Sequence, residues 1–133
     1  MIIIPPSKQA GAAGKTGSQF TGDVFAYLTM PSTDGVTINT VSFTPCARTY
    51  WHSHEKGQIL IVFAGQGLIQ SDGGPVWVMR AGDTIWAPPG ERHWHGASAR
   101  SFVIHTAISL GVTSWAEAVS DDEFNATSIT KET

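Results

Sequence analysis

The sequence predicts an all-β domain, a sandwich or barrel, and three observations carry that reading. Short runs rich in β-branched and aromatic residues recur along the chain. Turn signals divide them at Asp34-Gly35, Gly65-Gln66-Gly67, Ser71-Asp72-Gly73-Gly74, Ala81-Gly82-Asp83 and Pro88-Pro89-Gly90. Helix-capping chemistry appears only near the end. Many short strands with regular turns need a second layer or a closed sheet to bury one face each.

Residues 1–19 are expected to be an N-terminal lead-in, because residues 7–19 are small and polar. Gly14-Lys15-Thr16 resembles the end of a phosphate loop, but the earlier glycine and the preceding apolar strand are missing. Residues 20–124 are expected to form a single domain, with strands over 36–43, 49–54, 58–64, 76–80, 84–87 and 102–108. A further strand should follow the Pro-Pro-Gly turn. Ser114-Trp115-Ala116-Glu117 and Ser120-Asp121-Asp122-Glu123 both have capping-box spacing, which predicts a short C-terminal helical segment. Residues 125–133 are expected to be a frayed tail.

Composition narrows the function classes. Charged residues make up 14% of the 133, against 41% hydrophobic ones with five Trp. So low a charge fraction predicts a homodimer or larger assembly that covers outward-facing residues such as Trp51, Ile59, Ile61 and Phe63. A net charge of -3 offers no basic stripe, so nucleic acid is not an expected partner. Cys46 is the single cysteine, which excludes an intramolecular disulfide and a thiolate-rich zinc site. The opening Met-Ile-Ile-Ile-Pro-Pro is too short for a membrane span, and the expectation is a cytoplasmic protein without membrane partners. Asn125-Ala126-Thr127 is a chance match to a glycosylation signal in that setting.

All five histidines lie between residues 52 and 105, and four of them form two His-x-His pairs, His52/His54 and His93/His95. Residues two apart on a strand project from one face, so each pair aims two imidazoles at one point. That pattern predicts a metal site. On a straight strand Gln58 would stand roughly 20 Å from His52. Sharing an ion therefore requires a fold-back, which Glu55-Lys56-Gly57 can supply. His93 or His95 then joins from another strand. Trp51 and Trp94 alternate with histidines and belong to the opposite face, where packing between sheets or subunits is expected. Glu55 reads as a solvated turn residue and Arg48 as half of a surface ion pair.

His52-x-His54-x-x-x-Gln58-x6-Gly65 resembles the first motif of the cupin superfamily, and Gly82-x5-Pro88-Pro89-Gly90-x-x-His93 resembles the second. The run from Pro88 to Ala97 is similar to that of small single-domain cupins that include the manganese-dependent hydroxynitrile lyases. Phe20-Thr21-Gly22, Ala47-Arg48-Thr49 and Trp115-x-Glu117-x-Val119-Ser120 fit the same group. The resemblance implies a double-stranded β-helix, or jelly roll. It also implies one divalent metal held by His52, His54, Gln58 and His93, with His95 and His105 as catalytic groups in the pocket. Val41, Thr49 and Ser109 would contact substrate. Cys46 replaces a glycine at the start of the first motif, Ala97 an asparagine at the end of the second, and Ser109 a glutamine near the pocket.

A neutral amide at Gln58, where many cupins carry Glu, leaves the charge of the cation uncancelled, which favours Lewis-acid chemistry. Nitrogen and oxygen donors without thiolate suit Mn, Fe, Ni, Co or Zn, and affinity order does not choose among them; the resemblance implies Mn or Fe. The expected function is redox-neutral lyase-type chemistry on a small hydroxylated or carbonyl compound. Cyanohydrin cleavage leads by resemblance, and decarboxylation, dehydration or isomerisation would use the same apparatus. The alternatives are an oxygenase and a non-catalytic small-molecule-binding cupin.

Overall fold

The computed structural model describes residues 1–5, 14–126 and 130–131. Its strands are β1 (Gly14–Lys15), β2 (Phe20–Thr21), β3 (Val24–Thr33), β4 (Val36–Phe43), β5 (Arg48–Thr49), β6 (His52–His54), β7 (Gln58–Ser71), β8 (Val76–Arg80), β9 (Thr84–Ala87), β10 (His93–Ala97), β11 (Val103–Leu110), β12 (Thr113–Trp115) and β13 (Thr130–Lys131). One helix, α1 (Asp121–Asn125), lies near the C-terminus. The sheet path runs β1-β3-β4-β11-β7-β10-β5-β2, with β8 and β9 also on β7, and β6 and β12 beyond β10. The result is a nearly closed, barrel-like roll, as the all-β expectation required.

β7 joins the two faces of the roll. Its first half pairs with β11 and β9, and its second half with β10 and β8. Gly65-Gln66-Gly67, read from sequence as a turn, lies inside this strand. These glycines serve close backbone approach instead: Gly65 has φ of 79°, and a Cβ there would stand 1.9 Å from the Phe102 carbonyl oxygen. The Asp34-Gly35 turn does connect β3 to β4, with both residues at positive φ. Cys46, at φ of 71°, occupies the left-handed conformation that suits the glycine it replaces.

The core between the faces gathers Val24, Phe43, Leu60, Val62, Met79 and Val103. A second cluster corrects the expectation that Trp51 faces outward and needs cover. Trp51 and Trp94 are buried within this chain, against Leu68, Val76, Val78, Val119 and Phe124. The Arg92 guanidinium lies 4.7 Å from the Trp51 ring centroid, so Trp51 needs no partner subunit for cover. Phe63 remains exposed, and Ile59 and Ile61 are half-buried.

Ser114-Trp115-Ala116-Glu117 forms no helix; Thr113–Trp115 pairs instead with β6. Edge pairing with the histidine strand won over the local capping signal. The second capping box is real: Ser120 Oγ accepts from the Glu123 amide and Glu123 Oε1 from the Ser120 amide, each at 3.0 Å. Within the expected lead-in β1 pairs with β3, and within the expected tail β13 runs parallel to β8. Residues 6–13, 127–129 and 132–133 of those segments lie outside the described residues.

Arg48 does form the expected ion pair, with the exposed Asp121, but it is itself only 3% exposed and ties down the C-terminal segment. It donates to the Val119 carbonyl from Nε (3.2 Å) and Nη2 (2.8 Å), to the Cys46 carbonyl (3.0 Å) and to Asp121 Oδ1 (2.8 Å). Asp121 is exposed, so the carbonyls carry most of the value of this clamp. Arg48→Ala is expected to cost about 2–4 kcal/mol by leaving two carbonyls unpaired. A denaturant titration that shows a loss below about 1 kcal/mol would contradict the clamp.

Candidate metal centre and cavity

Antiparallel pairing of β6 and β10 places His93 opposite His52, which makes neighbours of the two His-x-His pairs. Gly57, at φ of 98°, turns the chain between β6 and β7. A side chain there would strike the Trp86 ring and the Ala87 carbonyl. The fold-back expected from the sequence thus exists, and it brings Gln58 to the imidazoles: Gln58 Oε1 lies 3.1 Å from His93 Nε2. The Gln58 amide nitrogen donates to Ser109 Oγ at 3.0 Å, which points its oxygen inward.

The outer ring nitrogens are all engaged. His52 Nδ1 meets the Tyr50 carbonyl at 2.8 Å and His93 Nδ1 the Glu91 carbonyl at 3.0 Å. A carbonyl only accepts, so both rings carry hydrogen on Nδ1 and present an Nε2 lone pair inward. His54 Nδ1 meets Thr113 Oγ1 at 3.0 Å, and its Nε2 is buried without a partner. At 3.1 Å, then, the His93 Nε2 lone pair faces another acceptor, Gln58 Oε1. Two acceptors hold that separation comfortably when a cation binds both, since donors at about 2.1 Å from one ion sit roughly 3 Å apart.

Burial lowers the basicity of every histidine here. His54 and His105 fall to about 4, His93 lies below its ordinary value, and His52 and His95 lie well below theirs. Neutral imidazole is the form that binds metal, so the donor set is ready at neutral pH. Candidate ligand nitrogens of His52, His93 and His95 also fall within 4.8 Å of one another. The residues present fit a divalent ion.

Beside the imidazoles lies a cavity of about 160 Å³. Val41, Thr49 and Ser109, singled out from the sequence, all line it, as do His52, His54, Gln58 and His95. His105 does not line it. It stands fully buried behind His95, with Nε2 3.0 Å from His95 Nδ1, while His95 Nε2 is left without a partner. Sequence reasoning missed Phe20, Thr37, Asn39, Phe43, Thr113 and Trp115 in the lining. Strand alternation from Val41, which the resemblance implied, would have given Thr37, Asn39 and Phe43 as well. A larger groove of about 440 Å³, lined by Trp77, Met79, Ile85 and Trp86 among others, holds no histidine.

β12 supplies the last wall. Trp115 lies over the His52 ring, with centroids 4.7 Å apart, and Thr113 fixes the His54 ring. Thr113→Val is expected to weaken metal affinity about 10–100-fold, whereas Thr113→Ser should restore it. Titration with a chelator-buffered metal reads this directly. Equal affinity in the valine variant would remove Thr113 from the site's support.

A rolled β-sheet with histidines from two adjacent strands converging beside an internal cavity is the architecture of a small ligand- or metal-binding barrel. The Cupin domain model matches residues 39–104. The chain is 44% identical to a (R)-mandelonitrile lyase of Granulicella tundricola, over 63% of this chain and 67% of the relative. Among solved structures, a cupin-like protein from Thermotoga maritima matches with TM-score 0.85 and 34% identity, covering 90% of this chain and 96% of that one. A predicted oxalate decarboxylase from the same organism matches with TM-score 0.71 and 15% identity, over 84% and 100%, a likeness of fold alone. The chain belongs to the cupin family.

Proposed function

We propose that this cupin is a metal-dependent, redox-neutral lyase that cleaves a carbon–carbon bond in a small hydroxylated compound, with cyanohydrins as the substrate type. The lone pairs of His93 Nε2 and Gln58 Oε1, 3.1 Å apart in a buried site, carry the metal half of this reading. Similarity to a (R)-mandelonitrile lyase supports the reaction half. His52, His54, Gln58 and His93 would hold one divalent ion, with manganese or iron suggested by the likeness to metal-dependent cupins. All four donors are neutral, so the bound ion would supply undiminished Lewis acidity to an oxygen that gains negative charge.

The chain's own residues do the rest. His95 lines the cavity and its Nε2 has no hydrogen-bond partner among the described residues, so it is the group to accept the substrate hydroxyl proton. The carbonyl forms as the carbon–carbon bond breaks, and cyanide leaves with the bonding pair. The same His95 then returns its proton to cyanide. His105 holds the far side of the His95 ring and steadies its tautomer, so it acts as a positioning residue. Val41, Thr49 and Ser109 shape the substrate site. Burial lowers the basicity of His95, which keeps its ring neutral and open to a proton at neutral pH.

Elemental analysis and a cyanide-release assay on mandelonitrile test both halves. One equivalent of divalent metal per chain and cyanide release above background are expected. Metal-free protein that resists reconstitution, or loaded protein inert toward a panel of cyanohydrins, would reject the reading.

A further inference from the structure

The cavity has two unlike walls. Phe20, Phe43 and Trp115 make one of them aromatic, with ring centroids 6.4 Å apart for Phe20–Phe43 and 5.7 Å for Phe20–Trp115. On the other, strand register aligns Thr37 with Ser109 and Ser109 with Gln58, and in the next row Asn39 with Ala107. The lining contains no Asp, Glu, Lys or Arg. An uncompensated charge on the ligand would therefore be costly to bury here, save at the ion.

Asn39 stands out on the polar wall. It is half-buried, it lines the cavity, and its amide makes no side-chain hydrogen bond among the described residues. Thr37, in the same register row as Gln58, likewise makes no side-chain hydrogen bond among the described residues. Strand β4 lies two interstrand steps from β7, so Asn39 stands about 10 Å across the sheet from the Gln58 strand. A ring against the aromatic wall can place its reacting group toward Gln58 and a substituent toward Asn39, since both residues line the cavity.

We infer that this cavity takes a neutral, flat, ring-bearing molecule with a hydrogen-bonding group on the end remote from its reacting carbon, and that Asn39, backed by Thr37, reads that group. The aromatic wall receives the ring face. Asn39 offers both a donor and an acceptor, so a phenolic hydroxyl satisfies it while an unsubstituted ring leaves a half-buried amide unpaired. This inference rests on the cavity being the substrate site proposed above.

The test is binding without turnover. Benzaldehyde, meta-hydroxybenzaldehyde and para-hydroxybenzaldehyde are titrated into metal-loaded protein in the absence of cyanide, with affinities read by calorimetry or ligand-observed NMR. At least one hydroxy isomer should bind about tenfold tighter than benzaldehyde, the worth of a well-formed hydrogen bond. Asn39→Leu should erase that preference, bringing the hydroxy isomers level with benzaldehyde. Asn39→Ala, which opens space, should erase it too and so separates lost hydrogen bonding from steric blockage. Equal binding of all three probes by the native chain, or a uniform loss in both variants, would overturn the inference. Because no cyanide is present, failure to cleave cyanohydrins removes the lyase reading without touching this result.

Discussion

Alanine in place of His52 or of His93 should empty the metal site. Each ring presents an Nε2 lone pair fixed by an outer Nδ1–H bond to a backbone carbonyl, so each is held in place as a donor. Loss of one of four donors is expected to lower affinity by more than about 100-fold, beyond the effect of losing an outer-shell partner. Metal content after dialysis against a mild chelator should fall from one equivalent to a trace. Near-wild-type content in both variants would show that the ion, if bound at all, sits elsewhere. His93 offers the sharper of the two tests, since its loss also frees Gln58 Oε1 from its opposing acceptor.

His95→Ala should leave the metal in place and abolish most of the activity. Positioned proton transfer is worth about 10²–10⁴-fold, so kcat/KM should fall by that factor. Ligand nitrogens of His95 lie within 4.8 Å of those of His52 and His93, so retention of the ion is itself informative. If His95→Ala lost its metal as fully as His93→Ala does, His95 would be a ligand and the proton would need another acceptor. His105→Ala should act through His95. It removes the ring 3.0 Å behind that residue and should lower kcat by about tenfold or more with KM little changed. His105→Gln, which can still hydrogen-bond to His95 Nδ1, should recover part of the loss.

Much of this arrangement was legible in the chain because period-two alternation governs both the fold and the site. The His-x-His pairs announced two strands with a common inner face, and β6 and β10 pair with His93 opposite His52. The need for a fold-back before Gln58 followed from strand rise alone, and Gly57 provides it. Spacing failed where a residue serves a distant neighbour. Gly65 and Gly67 look like a turn because glycine favours reversals, but they mark close approaches to β11 and β10 inside one long strand. Ser114-Trp115-Ala116-Glu117 carries a sound local helix signal, overridden by backbone pairing with the edge of the histidine strand. That misreading also hid Thr113 and Trp115 from the site. Arg48 was opaque for the same reason: nothing in sequence links it to Val119, 71 positions away.

Outward-facing apolar residues still bear on assembly. Phe63 is 60% exposed on the outer face of β7, beside the half-buried Ile59 and Ile61, so the expectation of a homo-oligomer now rests on these three rather than on Trp51. No helix among the described residues is long and apolar enough to cross a membrane.

The central claim is that neutral donors at this site support redox-neutral bond cleavage. The most direct measurement is mandelonitrile cleavage by protein reconstituted with a redox-silent divalent ion, compared in air and under strict exclusion of oxygen. Equal rates of cyanide release in the two atmospheres are predicted. Activity confined to a redox-active metal in air, with labelled dioxygen incorporated into product, would contradict the account and assign the site to oxygenase chemistry.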